Sequence, residues 1–137
     1  MMNNDRAHAE VAAVLAQAQR NGVYRLAAAE RLAPAFPVLA GDRLLNKVAL
    51  LQAVAQAFDF PADYGENWDA LEECLGDMSW WQGPIALLIQ QADAIPLETL
   101  NMFLAIFSDV AAQWAEEDRP CSLFLSGLQQ ADIPLLG

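Results

Sequence analysis

Residues 64–75 read Tyr64-Gly65-Glu66-Asn67-Trp68-Asp69-Ala70-Leu71-Glu72-Glu73-Cys74-Leu75. Placed at about 100° per residue, the stretch 66–78 sorts into two faces. Trp68, Leu71, Leu75 and Met78 fall on one side. Glu66, Asp69, Glu73 and Asp77 fall nearly opposite, with Glu72 at the boundary. Asn67 is well placed to cap the first free amides. The spacing predicts a helix from Asn67 to about Asp77. Its apolar stripe must meet a core, and its acids must meet solvent or a partner.

Two of the acids have a structural use. Glu66 and Asp69 lie at the helix N-terminus, where the dipole favours negative charge. Glu73 and Asp77 lie late, where the dipole opposes them. Like charges four residues apart cost a few tenths of a kcal/mol, roughly, per pair. Local bases do not relieve them: residues 48–118 hold thirteen acids and no Lys or Arg. A helix selected only for stability would mix in Lys. The pattern therefore accepts a repulsion that a cationic partner would relieve, although a plainly solvated acidic face accounts for the same string.

Working outward, Leu44 to Phe58 carries apolar residues at 44, 48, 51, 55 and 58, a helical spacing. Residues 59–65 form a loop with Pro61 and Gly65, and 77–84 a connector with Trp80 and Trp81 as a lid on the core. Ile85–Ile89 is a continuous apolar run, as in a strand covered on both faces. Pro96 opens a long helix to about Glu117, with Leu97, Leu100, Leu104, Phe107, Ala111 and Trp114 on one stripe. Cys121–Ser126 is a last strand and Phe36–Ala40 an earlier one. Upstream, residues 7–20 suit a helix, 23–27 a short edge strand, and 28–35 stay undecided. The tail, 129–137, reads as loose. Strand, helices, strand, helix, strand implies right-handed crossovers. The expected fold is α/β: a small three-stranded parallel sheet packed with helices, with an N-terminal helical extension and a possible extra edge strand. The expected division is an extension at 1–35, a central domain at 36–128 and a tail at 129–137, one globular domain overall.

The chain has 137 residues and a mass of 15.0 kDa, one domain's worth. Hydrophobic residues make up 55%, which excludes a disordered chain. A net charge of −11 argues against direct binding of nucleic acid or anionic membranes. It suits a docking face for something basic, or simple solubility. Cys74 and Cys121 form no metal-ligand spacing and are expected to be buried free thiols. Triads and His-based proton transfer need a placed histidine, and the lone one, His8, lies in an N-terminal segment expected to be mobile. Glycosidase-type carboxylate pairs sit in clefts, whereas these acids line the outside of one helix. A metal site from Glu66, Asp69 and Glu73 would need imidazole or a second acidic helix. The expectation is no enzyme, no metal and no cofactor. The N-terminus lacks a signal-peptide pattern, and the run Ile85–Ile89 is too short to span a bilayer. A soluble, reducing, cytoplasmic setting is expected.

The segment Tyr64–Leu75 resembles the signature of the barstar family, whose members share a Tyr-Gly-x-Asn-x-Asp-Ala-Leu core followed by an acid and often Cys-Leu. Cys121-Ser122-Leu123-Phe124-Leu125-Ser126 is similar to that family's last strand, and Leu44–Pro61 to its first helix and following loop. The resemblance implies a parallel three-stranded sheet with helices around it. It also implies a function: inhibition of a basic, extracellular-type ribonuclease of the barnase kind, by a helix and loop whose acids take the place of RNA phosphates. Tyr64, Gly65 and Asn67 match the family's binding loop, and Asp69 its first helix carboxylate. Glu73 falls where the family's strongest acidic contact is usually Asp. Glu72 falls where the best-known member has Trp, and Asp63 where it has Tyr. The family's acid on the last helix has no clean match, Glu116 lying about one residue off. With Asp77 from the acidic face, the expected partner-binding set is Asp63, Tyr64, Gly65, Asn67, Asp69, Glu72, Glu73 and Asp77. The partner is a protein, and the chain itself is expected to be a monomer. The alternative is an acidic module that binds another basic protein or toxin.

Overall fold

Ile85–Gln90 (β3) and Cys121–Ser126 (β4) are apolar on both faces, and in the computed structural model they pair in parallel inside a sheet. The structure describes residues 2–27, 34–130 and 132–136. The other elements are α1 (Met2–Leu15), β1 (Gly22–Leu26), β2 (Val38–Ala40), α2 (Lys47–Ala57), α3 (Trp68–Asp77), α4 (Leu97–Glu116) and β5 (Leu135–Leu136). The strands run in the order β2-β3-β4-β1-β5, and every neighbouring pair is parallel.

Side chains alternate between the two faces of the sheet. Ile85, Leu87, Ile89, Cys121, Leu123 and Leu125 enter one core with the apolar sides of α2, α3 and α4. Leu88 and Phe124 enter a second core with Val11 and Val14 of α1, Leu26 of β1 and Leu136 of β5. Three helices thus cover one face and α1 the other. This is the reason β3 and β4 read as unbroken apolar runs.

The expected α/β architecture is present, and the parallel sheet has five strands where three and a possible extra edge strand were expected. β1, expected at an edge, lies between β4 and β5. The tail expected to be loose carries β5, with Ile133 and Leu136 buried. The α2 stripe is out of phase with the expected one. The helix starts at Lys47, capped by Asn46, whose side chain accepts from the Ala49 amide at 2.9 Å. Leu44 therefore precedes the helix, and a stripe counted from it slips: Leu50, Leu51 and Val54 are buried, while Val48 is exposed. On α4 the buried stripe is Leu100, Phe103, Ile106, Phe107, Val110 and Ala111, leaving Leu97 at the surface. The helix expected at 7–20 runs from Met2 to Leu15, followed by a single turn at Ala18–Arg20. Of the undecided stretch 28–35, residues 28–33 lie outside the described residues, as do 1, 131 and 137 of the expected extension and tail.

Candidate partner-binding site

Asn67 is extended (φ −138°, ψ 171°) and caps α3. Its Oδ1 accepts from the Ala70 amide at 2.8 Å, and its Nδ2 donates to the Gly65 carbonyl at 3.3 Å. Loop and helix are thereby joined through one side chain. Gly65 fits that join: a Cβ there would sit 3.2 Å from Asn67 Nδ2, tighter than ordinary packing. Glu66 precedes the helix in a left-handed conformation (φ 51°), and its Oε1 accepts from Gln52 Nε2 of α2 at 3.0 Å. It tethers the loop and does not extend the acidic row of α3.

The two faces of α3 separate as the wheel predicts. Leu71, Leu75 and Met78 are fully buried, and Trp68 is half-buried with the Lys47 ammonium 5.7 Å from its ring centre. Asp69, Glu72, Glu73 and Asp77 are exposed. Beside them a cleft of about 310 Å³ opens between the loop and the helix. It brings together Asp63, Tyr64, Gly65, Glu73 and Asp77, with Ala70, Cys74, Pro61 and Trp80 completing the walls. Asp69, Glu72 and Asn67 are not part of that lining.

Three carboxylates act on one point in this cleft. Burial raises the Cys74 thiol above its ordinary pKa, and Glu73, Asp77 and Asp63 raise it further. Cys74 is half-buried, not buried as expected, because it borders the cleft; Cys121 is buried, and burial raises its thiol to about 12. Both thiols are free. Tyr64 packs edge-on against Phe60 at 5.0 Å, and Phe60 against Trp80 at 6.0 Å. Burial, then Cys74 and Glu66, raises the Tyr64 phenol to about 12, and its buried hydroxyl has no hydrogen-bond partner. Trp80 and Trp81 do roof the core: Trp80 Nε1 donates to the Phe58 carbonyl at 2.8 Å, and the Trp81 ring meets Phe58 edge-on at 5.1 Å.

The C-terminal end of α3 holds a residue that the sequence reading missed. Met78, fully buried and left-handed (φ 44°), ends the helix. Arg119 donates from Nη1 to the Met78 carbonyl at 3.2 Å and from Nη2 to the Trp81 carbonyl at 2.6 Å. Its Nε and Nη2 both donate to the Gly83 carbonyl, at 3.2 and 3.1 Å. The guanidinium lies 5.0 Å from the Trp114 ring centre, and Trp114 Nε1 donates to the Leu75 carbonyl at 2.8 Å. The one signal in the sequence was that Arg119 is the sole base after Lys47.

Among the described residues, no group of three or more His, Cys, Asp or Glu side chains is arranged to hold a metal ion, and no helix is long and apolar enough to cross a membrane. A larger cavity, about 850 Å³, lies elsewhere, against α4, β1, Gln130 and residues 132–134. Among the described residues its lining holds none of the expected site residues and one charged group, Asp132.

A family model described as barstar (barnase inhibitor) matches residues 35–126, while a search of curated proteins found no match. The matched span runs from just before β2 to the end of β4 and includes the whole of the loop and α3; α1, β1 and β5 lie outside it. On that match, two-thirds of the sequence and the segment that builds the acidic cleft, the chain belongs to the barstar family.

Proposed function

We propose that this chain inhibits a basic, barnase-type ribonuclease by seating α3 and the preceding loop in its active site. The observation that carries the reading is the row of exposed carboxylates on α3, Asp69, Glu72, Glu73 and Asp77, continued across the cleft by Asp63. A ribonuclease site must be concave and cationic to hold RNA. A capped helix packed on a core offers carboxylates on a backbone already held in place, so little backbone freedom is lost on docking. Opposed fields also speed encounter. In this reading Asp69 and Glu73 pair with the enzyme's bases. Tyr64, Gly65 and Asn67 supply the loop contact, while Asp63, Glu72 and Asp77 enlarge the charged rim. The inhibitor acts as a monomeric immunity protein in the cytoplasm and performs no catalysis itself.

A second reading has its own support. Asp63 and Glu72 stand where the family resemblance implies aromatic contacts, and both are exposed acids. An added charge at each place favours a more cationic partner, such as another basic protein or toxin. The experiment that separates the two is titration of barnase activity with the purified chain. Loss of activity at one equivalent, abolished by Asp69→Ala with Glu73→Ala in a protein of unchanged fold, supports inhibition. No inhibition of barnase or of other basic ribonucleases, with retained binding to another cationic protein, supports the second reading.

A further inference from the structure

We propose that Arg119 is a positioning residue of the docking face: it fixes the C-terminal end of α3, and with it Glu73 and Asp77, without touching the partner. The inference rests on the reading of α3 as the docking helix. A helix leaves its last carbonyls unpaired and its C-terminus negative. α3 aggravates this by carrying acids there, and it ends on a left-handed residue that has a Cβ, a rare conformation. The guanidinium sets a cation at this negative end and binds the carbonyl of Met78, the residue that closes the helix, while its other bonds hold the connector that follows. Four bonds hold the carbonyls of Met78, Trp81 and Gly83, a fork that a lysine cannot reproduce. Trp114 supports the guanidinium through its ring and holds Leu75 with its own N–H. The end of the acidic helix is thus tied to the junction of α4 and β4, in addition to its apolar stripe.

The arrangement also bears on charge. Arg119 places a cation at the negative end of α3. None of its four bonds goes to a carboxylate. A base whose bonds go to backbone carbonyls leaves Glu73 and Asp77 open to a partner.

The test compares the full-length chain with Arg119→Met and Arg119→Lys. Amide exchange is read at Met78 and Trp81, whose N–H groups donate to the carbonyls of Cys74 and Met78, and at the β3 and β4 amides. Arg119→Met is expected to speed exchange at Met78 and Trp81 at least tenfold more than in the strands, with Arg119→Lys in between. Mixed with barnase, Arg119→Met is expected to dissociate at least tenfold faster and to associate within about twofold of the unmodified rate, since its contact surface is intact. A uniform rise in exchange would show a general structural role and overturn the proposal. Full rescue by Arg119→Lys would overturn it in favour of charge alone, and unchanged dissociation despite lost local protection would sever the link to docking. If the unmodified chain does not bind barnase, the functional reading fails at that point, and the exchange data still decide whether Arg119 fixes the end of α3.

Discussion

Replacing Glu73 by Gln should make the protein more stable and a worse ligand. Glu73 is exposed at the middle of the acidic face, one turn from Asp69 and one turn from Asp77. Glu and Gln differ little in helix propensity, so the substitution isolates charge. Two like-charge pairs at a spacing of four are removed, each costing about 0.2–0.5 kcal/mol, so the expected gain is about 0.4–1 kcal/mol. Asp63 shares the cleft and adds to the same sign. Urea unfolding at low salt should show a higher midpoint with an unchanged slope. The gain should shrink markedly in 0.5 M salt, where screening acts over about 4 Å. A loss of stability, or a gain indifferent to salt, would refute the reasoning, because Glu73 would then be held by a structural contact and not merely opposed by its neighbours. The trade of stability for a charged site is common where function needs strain.

Four other outcomes follow from the same geometry. Cys74 should react with thiol reagents more slowly at pH 8 than a free cysteine, and Glu73→Gln should speed it by removing a nearby negative charge; equal rates in both proteins would contradict the cleft electrostatics. Tyr64→Phe should leave urea stability unchanged or raise it by up to about 1 kcal/mol, because a buried hydroxyl without a partner is removed. The Tyr64 phenol, raised from 10.0 to about 12 in the folded chain, keeps its proton where the unfolded chain has lost it. Its contribution is complete below pH 10 and is lost as pH rises toward 12, so Tyr64→Phe should flatten the alkaline fall in stability measured by denaturant unfolding. Leu136→Ala should cost about 2–4 kcal/mol in unfolding experiments, since Leu136 closes the second core with Val14, Leu26 and Phe124.

What was legible follows from the range of the interactions. α3 was readable because burial and charge alternate with the helical period over three turns, and Asn67 marks its start in the adjacent sequence. β3 and β4 were readable because being covered on both faces leaves an unbroken apolar run. β1 was expected at an edge because the strand that covers it, β5, pairs with it over only two residues, Arg25 and Leu26. Arg25 is half-buried and held by the tail: its Nε donates to the Ile133 carbonyl at 2.8 Å and its amide to the Pro134 carbonyl at 2.7 Å. β5 is two residues long and follows a proline, too short to show any period. The α2 stripe slipped because Leu44 is buried from outside the helix. In the candidate site, the identities of the acids were visible, but their convergence on Cys74 depends on how the loop folds over α3. Arg119 was out of reach for the same kind of reason. Its partner Met78 is 41 positions away, and nothing near either residue announces the pairing.

The central claim is that the α3 carboxylates take the place of RNA phosphates in a cationic enzyme site. Its most direct measurement is the salt dependence of barnase inhibition by the full-length chain, beside Asp69→Ala with Glu73→Ala. The account predicts inhibition saturating at one equivalent, competitive with RNA and weakening steeply as salt rises, with the double variant both weaker and less salt-sensitive. Inhibition that persists in the double variant, or that does not compete with RNA, would contradict it.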